Sequence, residues 1–190
     1  MTNEYLVKNY FNKRIKLISP NVFKDNRGYF YELYNNKKLK NIIGSINFVQ
    51  DNFSFSKDKY TIRGMHFQRP PYNQAKLITV IEGEIIDAVI DINPKSEFYG
   101  KSKIFKLSSE NKKILFINSD FAHGFCSLEK NTKIMYKVSN YYNPKFEKTI
   151  LWSDKYVNIK WPVSKKYTIS EKDQLGSSFN ILKKQFKLFK

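Results

Sequence analysis

The sequence has one cysteine and two histidines among its 190 residues. A single cysteine, Cys126, excludes a disulfide framework and a cysteine-ligated metal cluster. Its neighbours Phe121, Phe125 and Leu128 predict a buried, inert thiol rather than a nucleophile. The longest apolar segment, residues 78–92, is interrupted by charged residues and falls short of a membrane span. Because no secretory signal pattern opens the chain either, we expect a cytoplasmic protein without a membrane partner.

Acidic residues are also scarce, with 17 Asp and Glu against 34 Lys and Arg, which gives a formal net charge of +17. Such a surplus suggests phosphate contacts. However, the basic residues are mostly Lys and are spread along the whole chain, whereas Arg is the residue that binds phosphates and bases with bidentate geometry. The pattern therefore predicts a solvated basic surface with a local anion site, and no nucleic-acid partner.

Only seven Gly and six Pro are present, which excludes a low-complexity or collagen-like chain. Aromatic residues, by contrast, make up 16% of the sequence, and they favour strands. About ten short apolar segments are separated by turn signals, a spacing typical of an antiparallel β-sandwich or barrel. Residues 36–43 predict a short helix. Residues 179–190 predict a basic C-terminal tail or helix, with Phe179, Leu182, Phe186 and Phe189 at helical spacing.

Both histidines stand in unusual settings. His66 belongs to a predicted strand, in which strict alternation places it on one face with Gly64 and Gln68, and Arg63 on the other face. Two polar side chains beside a glycine suit the lining of a cavity better than a core. His123 lies in NSDFAHGF, at a turn into the next strand.

Several kinds of site lack their usual motifs. Two histidines without a His-x-His pair make a metal centre a weak alternative, since carboxylates would have to complete the ligand set. The sequence has no G-x-G-x-x-G, no glycine-rich phosphate loop and no G-x-S-x-G. Acid–base chemistry without a cofactor remains.

Histidine is the side chain best matched to removing a carbon-bound proton at neutral pH, especially when a carboxylate orients its ring. Removal of a proton next to a ketone creates an enolate, whose oxygen needs a cation or a hydrogen-bond donor. Arg63 and Lys76 are the candidates close to His66 in sequence. A tyrosine would serve as the acid on the opposite face.

Several segments together resemble one family, the nucleoside-diphosphate 4-keto-6-deoxysugar 3,5-epimerases. The resemblance runs in order between residues 17 and 174. Its motifs are FKDNRGYFYE, FVQDNFSFS, IRGMHFQRPPYNQAKL, DAVIDINPKSEFYG, FAHGF, YKVSNYYNP, ILWSD, IKWP and ISEKD.

The resemblance implies an all-β, cupin-like jelly roll with short peripheral helices. It also implies a homodimer and no metal or organic cofactor. Because no internal repeat and no linker-like segment divides the sequence, we expect one domain over residues 1–190. In GMHFQ, His66 would be the catalytic base, and Asp173 in SEKD its carboxylate partner. Tyr136 in MYKVSNYY would be the acid on the opposite face, and Lys76 in QAKL a cation at the keto oxygen.

The same resemblance implies a set of substrate-binding residues around the sugar, the diphosphate and the nucleobase. They are Arg27, Glu32, Gln50, Asn52, Arg63, His123 and Tyr142. Tyr142 would lie beside the nucleobase, although Tyr141 is next to it in sequence.

The implied activity is epimerisation at C3 and C5 of a dTDP-4-keto-6-deoxysugar, for the synthesis of cell-surface polysaccharide sugars. Two alternatives within the enzyme class are a C3-only epimerase and an epimerase of another 4-keto sugar, such as a GDP-linked deoxyheptose. A different class is a non-catalytic cupin that binds a sugar nucleotide, and a metal-dependent cupin is a third alternative.

Overall fold

The computed structural model describes residues 5–163 and 166–187. In chain order, its elements are β1 (Leu6–Tyr10), β2 (Ile15–Ser19), β3 (Phe23–Asp25), β4 (Gly28–Phe30), α1 (Asn36–Ile43), β5 (Gln50–Ser56), β6 (Thr61–Gln68), β7 (Lys76–Glu82), β8 (Glu84–Asp91), β9 (Ser102–Ser108), β10 (Ile114–Ile117), β11 (Phe121–Ser127), β12 (Thr132–Val138), β13 (Glu147–Thr149), β14 (Thr168–Ile169), α2 (Glu171–Gln174) and α3 (Phe179–Lys187).

Most of the strands form two sheets. The first has the order β1-β2-β10-β7-β12-β5, and the second has the order β13-β6-β11-β8-β9. All neighbours in these two orders are antiparallel, while β14 joins β6 in parallel. Strands β3 and β4 form a separate hairpin. The predicted antiparallel jelly roll with short helices is confirmed.

The main core lies between the two sheets. Ile78 and Leu115 of the first sheet pack in one cluster with Val89 and Phe125 of the second. These are the β-branched, aromatic and aliphatic residues that a pleated surface accommodates well, and each such side chain stabilises the fold by about 1.5–3 kcal/mol when fully buried. At one end of the space between the sheets, the inward-facing strand positions carry polar residues instead, and these residues line a pocket.

The predicted helix at residues 36–43 is confirmed as α1. The side chain of Asn35 caps it by accepting from the Lys38 N–H, and its Leu39 is buried. At the C-terminus, α3 buries Phe179 and Leu182 against the second sheet. Of the other two predicted positions, Phe186 belongs to α3 and Phe189 lies outside the described residues. None of the described helices is long and apolar enough to cross a membrane.

A β-bulge in β6 corrects the predicted alternation around His66. His66 pairs with His123 on β11 and Arg63 pairs with Phe125, so three steps on β6 oppose two on β11. The extra residue brings Arg63 to the same side as His66, where both line one pocket, and the expectation that they lie on opposite faces is wrong.

Gly64 and Gly124 allow the two strands to approach at this bulge. Gly64 has φ +117°, and a Cβ there would lie 2.6 Å from the Gly124 Cα and 2.8 Å from the carbonyl oxygen of His123. Gly64 therefore accommodates a neighbouring backbone and leaves no open space beside His66.

Candidate active site

A pocket of about 530 Å³ opens between the two sheets and contains most of the predicted site residues. Nine of the eleven line it: Gln50, Asn52, Arg63, His66, Lys76, His123, Tyr136, Tyr142 and Asp173. Strands β5, β7 and β12 of the first sheet form one wall, and β6 and β11 of the second form the other. The sandwich thus brings together residues that are far apart in sequence.

His66 and Asp173 form a tightly held pair. The His66 Nε2 lies 2.6 Å from the Asp173 Oδ1, and the other carboxylate oxygen accepts from the Gly64 N–H at 3.1 Å. Asp173 belongs to α2, where its own N–H donates to the capping hydroxyl of Ser170. Burial alone would raise the pKa of Asp173, but the bond and the charge of His66, with the other hydrogen bonds, hold it below its ordinary value. The carboxylate is therefore kept ionised behind the ring.

A second pair, His123 and Asp87, lies on the neighbouring strands. The His123 Nε2 is 2.8 Å from the Asp87 Oδ2, and His123 faces His66 directly across the ladder. Asp87 is fully buried, and its other oxygen has no hydrogen-bond partner among the described residues. Burial raises the pKa of Asp87, although His123 and Lys76 both oppose this.

Two further groups in the pocket are perturbed by burial. Desolvation lowers the pKa of Lys76 to about 8, against the opposing charges of Asp87 and Glu147. Burial also raises the pKa of Tyr136, which keeps its hydroxyl protonated. Lys76 and Tyr136 belong to the first sheet and His66 to the second, so a ring held between the sheets has groups of different chemistry on each side.

The mouth of the pocket carries Tyr142, one of the two neighbouring tyrosines considered in the sequence. Tyr142 lines the pocket and Tyr141 does not. The Tyr142 hydroxyl donates to the Glu147 Oε2 at 2.9 Å, and this hydrogen bond raises the pKa of the phenol. Lys172 forms an ion pair with the same carboxylate.

Arg27 and Glu32 are the two predicted residues that do not line this pocket. Arg27 lies at the tip of the β3–β4 hairpin, where it pairs with Asp25 and its side chain is 85% exposed. Glu32 precedes α1 and pairs with Lys38. The fold of the chain does not bring these two residues to the other nine.

The sequence analysis missed several pocket residues and one supporting residue. Glu147, Lys172 and Gln74 line the pocket, and Asp87 lies behind His123, whereas Gln68 lines it as its place on the face of His66 predicts. Asp87 interrupts an apolar strand, which is a detectable signal, because a lone carboxylate buried in a sheet needs a partner. Glu147 and Lys172 carry no such signal, since they resemble any exposed charge.

The arrangement suits proton transfer at carbon. An imidazole held by an ionised carboxylate can accept a proton, a protonated phenol can return one, and a buried ammonium group can stabilise an oxyanion. Among residues 5–163 and 166–187, no three His, Cys, Asp or Glu side chains are grouped to hold a metal ion.

Fold and site together define a jelly-roll protein with an acid–base pocket built around two histidine–carboxylate pairs. The sequence profile of the dTDP-4-dehydrorhamnose 3,5-epimerases matches residues 13–180. The chain belongs to this family, which confirms the predicted resemblance.

Individual relatives agree with the family profile. The dTDP-4-dehydrorhamnose 3,5-epimerase of Shigella flexneri is 43% identical over 166 residues, which cover 87% of this chain and 91% of the relative. The crystal structure of the Bacillus anthracis enzyme of that name, with TDP and PPi bound, has a TM-score of 0.89 and 39% identity, and the match covers 93% of this chain and all of that one.

A third relative is the dTDP-6-deoxy-D-glucose-3,5-epimerase of Legionella pneumophila, whose crystal structure is a complex with dTDP-4-keto-L-rhamnose. It has a TM-score of 0.91 and 34% identity, and the match covers 96% of each chain.

Proposed function

We propose that this protein converts dTDP-4-dehydro-6-deoxy-D-glucose to dTDP-4-dehydro-L-rhamnose by inverting C3 and C5 of the sugar. Family membership and the names of the relatives support this substrate. The observation that carries the chemistry is the His66–Asp173 pair, which lines one pocket together with Lys76 and Tyr136.

His66 is the base. The C4 ketone makes the hydrogens on C3 and C5 removable, and His66 takes one of them while Asp173 stabilises the charged imidazole. Lys76 stabilises the enolate oxygen that forms at C4, with Arg63 and His123 near the sugar. Exchange with solvent then removes the proton from His66 and returns one to Tyr136, and the same cycle repeats at the second carbon.

Tyr136 is the acid and donates its own hydroxyl proton to the enolate carbon. It projects from the first sheet and His66 projects from the second, so a sugar ring between them loses a proton on one face and gains one on the other. That geometry is what inversion requires. Positioned acids and bases of this kind each contribute about 10²- to 10⁴-fold to the rate.

The nucleotide occupies the mouth of the pocket. Gln50 and Asn52 alternate on β5 and line the same wall, where the Gln50 amide donates to the Asn52 side chain at 2.8 Å. Tyr142 is half exposed, so one ring face is available to stack on a nucleobase. Lys172 and Arg63 supply positive charge for the diphosphate.

We also infer a homodimer, working in the cytoplasm, in which Arg27 and Glu32 complete the pocket of the partner subunit. The β3–β4 hairpin exposes Phe23, Tyr29 and Phe30, and exposed aromatic clusters of this kind mark interfaces. Strand β5, which carries Gln50 and Asn52, is an edge strand of its sheet and is open to such a contact.

Mixing two inactive variants tests the shared site. Arg27→Ala and His66→Ala homodimers each lack one group in every pocket. If Arg27 acts across the interface, mixed dimers have one intact pocket, and a 1:1 mixture recovers about a quarter of wild-type activity. If Arg27 acts within its own chain, mixing restores nothing.

Isotope exchange tests the reaction. In deuterated water, dTDP-4-dehydro-6-deoxy-D-glucose should become labelled at C3 and C5 and be converted to the L-rhamno product, followed by NMR. Label at C3 alone would make the protein a C3-epimerase. Faster turnover of a GDP-linked 4-keto sugar than of the dTDP sugar would show that the substrate assignment is wrong. If neither sugar becomes labelled, the protein binds a sugar nucleotide without catalysing epimerisation.

A further inference from the structure

Gln68 is the last residue of β6, two positions after His66. Its side-chain amide donates two hydrogen bonds and accepts one. Its Nε2 donates to the carbonyl oxygen of Tyr72 at 2.7 Å and to that of Tyr141 at 3.1 Å. Its Oε1 accepts from the Asn143 N–H at 2.6 Å. The residue is only 4% exposed, so water does not compete for these bonds.

The two contacts with the 139–146 loop flank one residue. Gln68 holds the carbonyl before Tyr142 and the N–H after it, so the amide fixes the backbone on both sides of this tyrosine. Other hydrogen bonds tie the loop at Ser139 and Asn140, before Tyr142, and at the carbonyl oxygen of Phe146, which accepts from the Arg69 N–H at 3.0 Å; none of these residues is next to Tyr142.

The other end of Tyr142, its hydroxyl, is fixed through β13, the strand that pairs with β6. Its hydroxyl donates to Glu147, and the backbone of Glu147 pairs with Gln68 in the β6–β13 ladder. Backbone and hydroxyl of Tyr142 are thus both anchored at one point of β6. Tyr142 is 53% exposed, so its ring is open to a ligand. Because both ends of the residue are held, the orientation of the ring is set before the ligand binds.

We propose that Gln68 is a positioning residue that presets the Tyr142 ring for the nucleotide. The proposal rests on the proposed function, in which Tyr142 stacks on the nucleobase. It assigns to Gln68 an effect on nucleotide affinity rather than on proton transfer, although Gln68 lies closer in sequence to His66.

The isosteric change Gln68→Glu removes the two donors and sets a carboxylate against the carbonyls of Tyr72 and Tyr141. Affinity for dTDP, measured by calorimetry, should fall about tenfold, while kcat at saturating substrate changes by no more than about twofold. In a Tyr142→Ala background, the same change should have almost no further effect on dTDP affinity. Gln68→Met, which keeps the volume, gives the same pattern if Gln68→Glu fails to fold.

Gln74→Glu is the matched control. Gln74 also lines the pocket and donates to the same loop, at the Asn140 carbonyl, but it does not flank Tyr142. Gln74→Glu should change dTDP affinity by the same factor in the wild-type and in the Tyr142→Ala background. An effect of Gln68→Glu that is equally independent of Tyr142, or that falls on kcat alone, would overturn the positioning role. Failure of the wild-type protein to bind dTDP would instead overturn the nucleotide assignment itself, and the proposal with it.

Discussion

Two histidine–aspartate pairs lie side by side, with the histidines on neighbouring strands, and they differ in exposure and in the hydrogen bonds of their carboxylates. The His66 side chain is 30% exposed and opens to the pocket, whereas the His123 side chain is 8% exposed. Asp173 receives an additional backbone N–H and sits in a capped helix, while Asp87 has one oxygen without a hydrogen-bond partner among the described residues. The pKa of Asp173 is lowered by its partners against burial, and the pKa of Asp87 is raised by burial.

The difference shows what makes such a pair a base. A carboxylate with several donors remains an anion and stabilises the imidazolium that proton abstraction creates. A buried carboxylate with one partner fixes a ring in place, but its own charge is costly. We therefore expect the His66 pair to carry the chemistry, and the His123 pair to orient a substrate contact and to support the charge of Lys76.

The largest expected contrast is in rate. Asp173→Asn should lower kcat by about 10²-fold or more, because the imidazolium loses its counter-charge. Asp87→Asn should lower kcat by no more than about tenfold at pH 7, since His123 does not accept the proton. Steady-state kinetics on the two variants compare them, and equal losses would remove the distinction between the pairs.

A smaller effect is expected on the pH profile. Lys76 stabilises the enolate only when protonated, so kcat should fall as pH rises through about 8, the lowered pKa of this group. Asp87 and Glu147 favour the charged form of Lys76, and the pocket also presents Tyr136 from β12 to it. The second sheet contributes Arg63, His66 and His123, and Tyr142, Lys172 and Asp173 complete the titratable lining.

Asp87→Asn removes one of the two charges that favour protonated Lys76, so the alkaline fall should begin at lower pH. Glu84→Gln is the control, since Glu84 lies on the same strand but pairs with Lys106 at the surface. An alkaline limb that stays in place in Asp87→Asn would show that Asp87 does not support Lys76.

The smallest effect is on stability, and its sign differs between the pairs. Because the folded pKa of Asp173 is lowered, its charge stabilises the fold above the ordinary Asp pKa, and this contribution is lost as pH falls through the lowered value. The folded pKa of Asp87 is raised, so stability falls as pH rises from the ordinary Asp pKa through the raised value, and above it the charge of Asp87 costs stability.

At pH 7, Asp173→Asn should therefore destabilise the protein by about 1–3 kcal/mol, whereas Asp87→Asn should leave Tm unchanged or raise it. Thermal unfolding of the two variants measures both. A fall in Tm for Asp87→Asn as large as that for Asp173→Asn would contradict the assignment of the buried pair.

The sequence predicted the sandwich and helix α1 because strand alternation, turn residues and the Asn35 cap are local signals. It predicted the pocket residues largely through family motifs, since the 107-residue separation of His66 and Asp173 has no local signature. Strand periodicity misplaced Arg63, because the bulge depends on contact between Gly64 and Gly124 of another strand. The partner of His123 was missed for the same reason, since only the ladder brings Asp87 beside it.

The most direct test compares the two histidines by position-specific exchange. His66→Asn and His123→Asn are incubated with substrate in deuterated water, and label at C3 and at C5 is followed separately by NMR. We predict that His66→Asn loses exchange at both carbons by about 10²- to 10⁴-fold, while His123→Asn retains exchange at both. Exchange that survives in His66→Asn, or that is lost at one carbon in His123→Asn alone, would contradict a single base at His66.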